Sequence, residues 1–439
     1  MKKVFYLATI FGLLSTISSC NKNDFFDTGM GHPGDGKTSD AKVATDWYRL
    51  QLRILLERNS AFNPNAYIGY IGIALYEAVR YETPNSVSFS KKLNQMPAMP
   101  PKENNNGYNW QVSANAALAA MVRSLYTGLT TANTASIDSL ENAWNQRLKP
   151  GAGSAVFTRS QTFGRSIATA IYNWYLTDNF NGSNAGYVPP VFPGAWVPTL
   201  PALANCINPF VASARTFISS NSTIIAPAFP APYSEIVNSD YYKIQKQVYD
   251  VSQTLTTQQK DIALFWVDQG NGVGYTPGGH DFFVVTQAIE QSKATLALAA
   301  ETYAKAGIAN RDATVVCFKS KYTYNCMRPI TYIRKVIDPA WLPFIPTPPH
   351  PEYPAAHALL TGATMQAATK VLGDNTPVTD RSYEFRGWAP RTFASLWKAA
   401  EDAGISRLYG GIHCQPSINT GFAIGYDIGN KVGKIKLTE

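Results

Sequence analysis

Three cations and two histidines, spread over three short segments, hold the chemistry open to this chain. Lys321 and Arg328 come first, with Pro329 directly after the arginine; then His357 closes Pro354-Ala355-Ala356-His357. Arg407 follows Ser406, and His413 ends Gly410-Gly411-Ile412-His413. Lysine offers a compact ammonium, and arginine a planar fork that binds oxyanion edges bidentately. One histidine can attack or ligate a central atom while a second moves the proton. The set suits a pocket for a tetrahedral oxyanion.

Taken singly, each segment also has an ordinary structural reading. Lys321 and Arg328 are seven apart, which on one α-helix puts them within about 20° of the same face. A solvated basic face shared with Lys319 and Arg334 would look the same. His357 stands where an extended loop turns into a helix, and helix N-termini present unpaired N–H groups to anions; a histidine there also caps or packs. The Gly410-Gly411 step ends a helix and redirects His413, as a plain helix end would.

In order and spacing together, the segments read Lys-x6-Arg-Pro, Pro-x-x-His and Ser-Arg-x5-His. This resembles the three-part signature of type 2 phosphatidic acid phosphatases and vanadium-dependent haloperoxidases, and it covers about residues 285–435. Thr276-Pro277-Gly278-Gly279-His280 and a proline-rich insertion extend the likeness to the larger bacterial haloperoxidase-like members, giving one all-α domain over 43–439. The resemblance implies that Lys321, Arg328, Arg407 and the backbone N–H of Ala356 bind the oxygens of vanadate or phosphate. It implies that His413 ligates vanadium, or attacks phosphorus, and that His357 is the acid/base. His350 borders the region that relatives use for halide, and His280 could approach the pocket as an accessory group. Two positions depart from the pattern. Ala355 and Ala356 replace the serine and glycine of Pro-Ser-Gly-His, which removes a hydroxyl bond to a charged group worth roughly 1.5–3 kcal/mol. Ser417 stands where the phosphatases place an aspartate that orients the last histidine; it can accept the ring N–H but brings no charge.

The implied activity is vanadate-dependent oxidation of halide by hydrogen peroxide. A phosphatase acting on phosphate esters through His413, and a non-catalytic phosphate-binding protein, are the alternatives.

Helices must position these groups. Apolar periodicity predicts them over 47–57, 64–81, 110–126, 133–148, 155–177, 234–253 and 257–269, with Thr257 as a cap. Further helices are expected over 281–306, 311–336 (broken at Arg328-Pro329), 355–371, 390–408 and 419–432. No alternating strand pattern or repeat appears, so the expected fold is an all-α helical bundle. Prolines from Pro189 to Pro232 exclude a long helix there and predict a packed covering loop.

Residues 1–19 read as an export signal: Lys2 and Lys3, an apolar run from Val4 to Leu14, then Ile17-Ser18-Ser19-Cys20. This looks like a bacterial lipoprotein signal with Cys20 acylated, and 20–42 reads as a flexible tether. The expected location is outside the cytoplasm, lipid-anchored to a bacterial membrane. The net charge of +8 falls to +6 without the signal's two lysines. No Lys/Arg-dense block is present, which argues against nucleic acid as a partner. Cys206, Cys317, Cys326 and Cys414 show no zinc-like spacing and are expected as free thiols.

Overall fold

The computed structural model describes residues 39–57, 64–104, 106–268 and 274–439. The expected export signal, Cys20 and most of the tether lie outside the described residues. Thirteen α-helices run through the described chain: α1 (Lys42–Glu57), α2 (Ile68–Val79), α3 (Trp110–Leu125), α4 (Thr131–Ala152), α5 (Ser154–Tyr175), α6 (Asp240–Gln253), α7 (Thr257–Phe265), α8 (Pro277–Gln291), α9 (Leu296–Tyr324), α10 (Pro329–Val336), α11 (Ala356–Leu372), α12 (Leu396–Tyr409) and α13 (Gln415–Gly433). The expected all-α class holds, and no described helix is long and apolar enough to cross a membrane.

Central α9 is buried along most of its length, as a helix enclosed by others must be. Small residues set its approach to α2: a Cβ on Gly72 would stand 2.6 Å from the Tyr303 carbonyl oxygen. The same device joins α11 to α13, where Gly421, Gly425, Gly429 and Gly433 recur every fourth residue and so share one helix face. That contact sets the N-terminus of α11, with His357, close to the start of α13 just after His413. A Cβ on Gly425 would lie 2.5 Å from the Leu359 carbonyl oxygen. Gly425→Ala should therefore destabilise the protein by about 1–3 kcal/mol, read as a lower denaturant midpoint.

Several boundaries differ from expectation, among them α2, α6 and α13, which start at Ile68, Asp240 and Gln415. The helix expected over 281–306 ends at Gln291, because Lys293 takes a left-handed φ of 53° and Thr295 caps a new helix by accepting from Leu298 N. That helix, α9, then runs through 307–310 to Tyr324. Thr256, not Thr257, caps α7 and forms a capping box with Gln259. Part of the stretch expected as helix from 390 is instead a strand, β2 (Arg391–Phe393), paired antiparallel with β1 (Val378–Asp380). Ser395 then caps α12.

The proline-rich segment has no α-helix between Tyr175 and Asp240 and is packed onto the body, as expected. Trp196 N donates to Asn325 O (2.6 Å), Ile207 N to Pro349 O (3.1 Å), and Phe217 N to the buried Asp312 carboxylate (2.6 Å). It covers the C-terminal end of α9, where Lys321 lies.

Candidate active site

Lys321 and Arg328 meet by a route other than a shared helix face. Lys321 is in the last turn of α9; Asn325 then adopts the left-handed conformation that ends the helix, and Arg328 caps α10 ahead of Pro329. Both side chains are buried, and so is Arg407 in the last turn of α12. Lys321 Nζ donates to the carbonyls of Pro351 (2.8 Å) and Glu352 (2.9 Å). Arg328 is held by the carbonyls of His350 (2.8 Å) and Ile412 (2.9 Å) and by ring nitrogens of His350 (3.0 Å) and His413 (3.1 Å). Arg407 Nη1 donates to Trp266 O (2.5 Å) and lies 2.7 Å from His357 Nε2. Its Nε is buried with no acceptor among the described residues.

Gly411, at φ 75°, makes the turn that swings His413 out of the α12 axis. The expected redirection at the Gly-Gly step is therefore what the backbone does. His413 is buried, and its Nδ1 lies 2.9 Å from Glu352 Oε1. The carboxylate fixes the proton on Nδ1, so Nε2 presents its lone pair toward Arg328. Burial, then Arg328 and Lys321, hold the ring well below the usual histidine range, so it is neutral. This corrects the expectation for Ser417, whose hydroxyl is 3.5 Å from the Glu352 carbonyl and makes no bond to the ring. Glu352 also accepts from Cys414 N at 3.0 Å. Sequence reading passed over it, although it is the one acid between Asp338 and Asp374 and stands five residues before His357.

His357 is the second residue of α11, whose N-cap, Ala355, offers no side-chain bond. The N–H groups of that first turn, including Ala356, thus have no intrahelical acceptor. His357 Nε2 lies 3.1 Å from Asp268 Oδ2 as well as against Arg407. One nitrogen cannot donate to the carboxylate and accept from the guanidinium at once, so these two contacts select between the tautomers. Burial and Arg407 pull its pKa down to about 4. Asp268, missed as a site residue because it lies 89 positions from His357, bonds His280 Nδ1 at 2.8 Å. His280 is therefore behind His357, in the first turn of α8, and not among the cations around His413.

His350 is buried against Phe318 (ring centroids 5.6 Å, 69°) and accepts from Arg328. The cysteines at 206, 317, 326 and 414 are unpaired.

The charges do not balance internally. The three cations Lys321, Arg328 and Arg407 have two carboxylates acting on them, Glu352 and Asp268. Burial pulls the Lys321 pKa down and pushes that of Glu352 up; an anion among the cations would oppose the first shift. The unpartnered Arg407 Nε, the uncapped α11 terminus and the His413 lone pair form a donor and ligand set that fits vanadate or phosphate.

Residues 301–437 match the family model described as VCPO second helical-bundle domain. The crystal structure of the first bacterial vanadium-dependent iodoperoxidase superposes with a TM-score of 0.81 at 29% identity, covering 92% of this chain and 99% of that one. Holo- and apo-type bacterial vanadium-dependent chloroperoxidases share the fold, with TM-scores of 0.62 and 0.61 at 18% and 16% identity. They cover 87% and 92% of this chain and 94% and 96% of their own. A search of curated proteins finds no match. The signature segments and the site they build agree with this likeness: over residues 301–437 the chain is similar to the second helical-bundle domain of the matching family model, and over most of its length to solved vanadium-dependent haloperoxidases.

Proposed function

We propose that the protein is a vanadate-dependent haloperoxidase that oxidises a halide with hydrogen peroxide. The observation that carries the reading is His413: a neutral ring, pinned through Nδ1 by Glu352, whose Nε2 lone pair points into a group of buried cations. Vanadate held there would supply a Lewis-acidic centre for hydrogen peroxide, the vanadium keeping its oxidation state while peroxide oxygen is reduced. His413 Nε2 would ligate vanadium. Lys321, Arg328, Arg407 and the Ala356 N–H would hold the oxygens and offset charge on them. His357 would move the proton, and His350, neutral beside Arg328 and Phe318, would face the halide. The proposed setting is the exported, lipid-anchored one implied by residues 1–20.

The same Glu352–His413 pair also favours a second reading. A type 2 phosphatidic acid phosphatase needs a carboxylate behind its nucleophilic histidine; Glu352 supplies the charge that Ser417 lacks.

Assaying halide oxidation and phosphate-ester hydrolysis side by side, while orthovanadate is titrated into phosphate-free protein, separates the two. Saturable, vanadate-dependent halide oxidation supports the peroxidase. Ester hydrolysis that vanadate inhibits would overturn it. Glu352→Gln keeps the shape but removes the charge behind His413, and should lower vanadate affinity or turnover about 10–100-fold. A steady-state vanadate titration of the variant checks this.

A further inference from the structure

Behind His357 lies a buried chain that the anion pocket does not require. His280 is fully buried, with Nδ1 2.8 Å from Asp268 Oδ1 and Nε2 2.9 Å from Asp380 Oδ2. Three separate elements build it. Asp268 follows α7, Thr276 and Pro277 start α8 so that His280 falls in its opening turns, and Asp380 ends β1. The ring is stacked on Trp266 (centroids 4.3 Å, 27°), whose carbonyl holds Arg407.

Both carboxylates are set up as acceptors. Asp380 receives Ser382 N (2.8 Å), Ser382 Oγ (2.5 Å) and Gln287 Nε2 (3.2 Å). Asp268 receives the Tyr383 hydroxyl at 2.8 Å. A neutral imidazole has a single N–H, so one ring nitrogen would turn its lone pair on a carboxylate oxygen at under about 3 Å. An imidazolium satisfies both contacts.

We propose that His280 is a permanently protonated positioning residue that keeps Asp268 ionised and thereby sets the tautomer of the acid/base His357. Without that cation, two carboxylates would share a buried site with only Arg407 to offset them. Burial would then drive a proton onto Asp268, and Asp268 could no longer accept a proton-bearing His357 Nε2. Burial alone would lower the His280 pKa, but Asp268 and Asp380 outweigh it and raise it to about 10. His280 and then His357, in turn, hold Asp268 below the usual carboxylate range against its own burial. The other titratable groups facing this chain are Tyr275, Tyr383 and Asp281; burial pushes Asp281 up to about 8.

The link to His357 rests on the peroxidase reading; the protonation state of His280 does not. With five histidines in the sequence, nitrogen-15 NMR of the vanadate-free protein can follow each ring. His280 should show two protonated ring nitrogens from about pH 6 to about pH 9. A singly protonated ring, or titration near the ordinary histidine value, overturns the proposal even if the enzyme turns over. For the link, Asp380→Asn keeps an oxygen acceptor and drops a charge, while His280→Gln removes the cation. In His280→Gln the acidic limb of the kcat profile should move upward by about 1–3 pH units, because Asp268 then protonates at higher pH. KM for halide should change little. A uniform fall in kcat with an unmoved limb in a folded His280→Gln, and no change in the His357 resonances of Asp380→Asn, would reduce the chain to scaffolding.

Discussion

His413→Ala should abolish halide oxidation at every vanadate concentration while leaving an anion site behind. The variant removes the only Nε2 lone pair that Arg328 and Glu352 jointly aim at the pocket. Lys321, Arg328, Arg407 and the start of α11 remain, so orthovanadate and phosphate should still bind, more weakly and with closely matched affinities. Calorimetric titration of both anions into the variant measures this. Glu352 loses its ring partner but keeps Cys414 N at 3.0 Å, so the folded state should lose only about 1–3 kcal/mol. Surviving turnover in this variant would remove His413 from the chemistry altogether.

His357→Ala should show the opposite split. Turnover should fall about 10²–10⁴-fold, the usual contribution of a positioned acid/base. Vanadate affinity should hold or tighten, because Arg407 Nη1 is crowded against His357 Nε2 at 2.7 Å and would be freed to bind an oxygen. The two histidine variants thus separate holding the anion from moving the proton, and a vanadate titration of kcat on each distinguishes them. A His357→Ala enzyme that loses affinity and rate together would mean that the ring mainly props Arg407.

The cluster of cations and histidines was legible because its members sit in short local patterns. Lys321-x6-Arg328, the turn into α11 and the Gly410-Gly411 step each announce a helix end, and helix ends are where these groups meet. The partners that tune them were not legible. Glu352, Asp268 and Asp380 act across 61, 89 and 100 positions on His413, His357 and His280, and long-range pairing leaves no periodic trace in one sequence. Helix types were read better than helix limits. The break at Ser292–Thr295 depends on a left-handed Lys293 that no glycine or proline marks, so the apolar period seemed to run on to Ala306. The short ladder at 378–380 and 391–393 is too brief for alternation to show, yet it positions Asp380.

The central claim is that an oxyanion binds on His413 Nε2 inside the cation ring. The most direct measurement is a crystal structure of the phosphate-free protein soaked with orthovanadate. The expected result is vanadium within bonding distance of His413 Nε2, with Arg407 Nε donating to one of its oxygens and Arg328 turned from the ring to the anion. A fully exchanged crystal in which Arg328 still donates to Nε2, with vanadate elsewhere or absent, would contradict it.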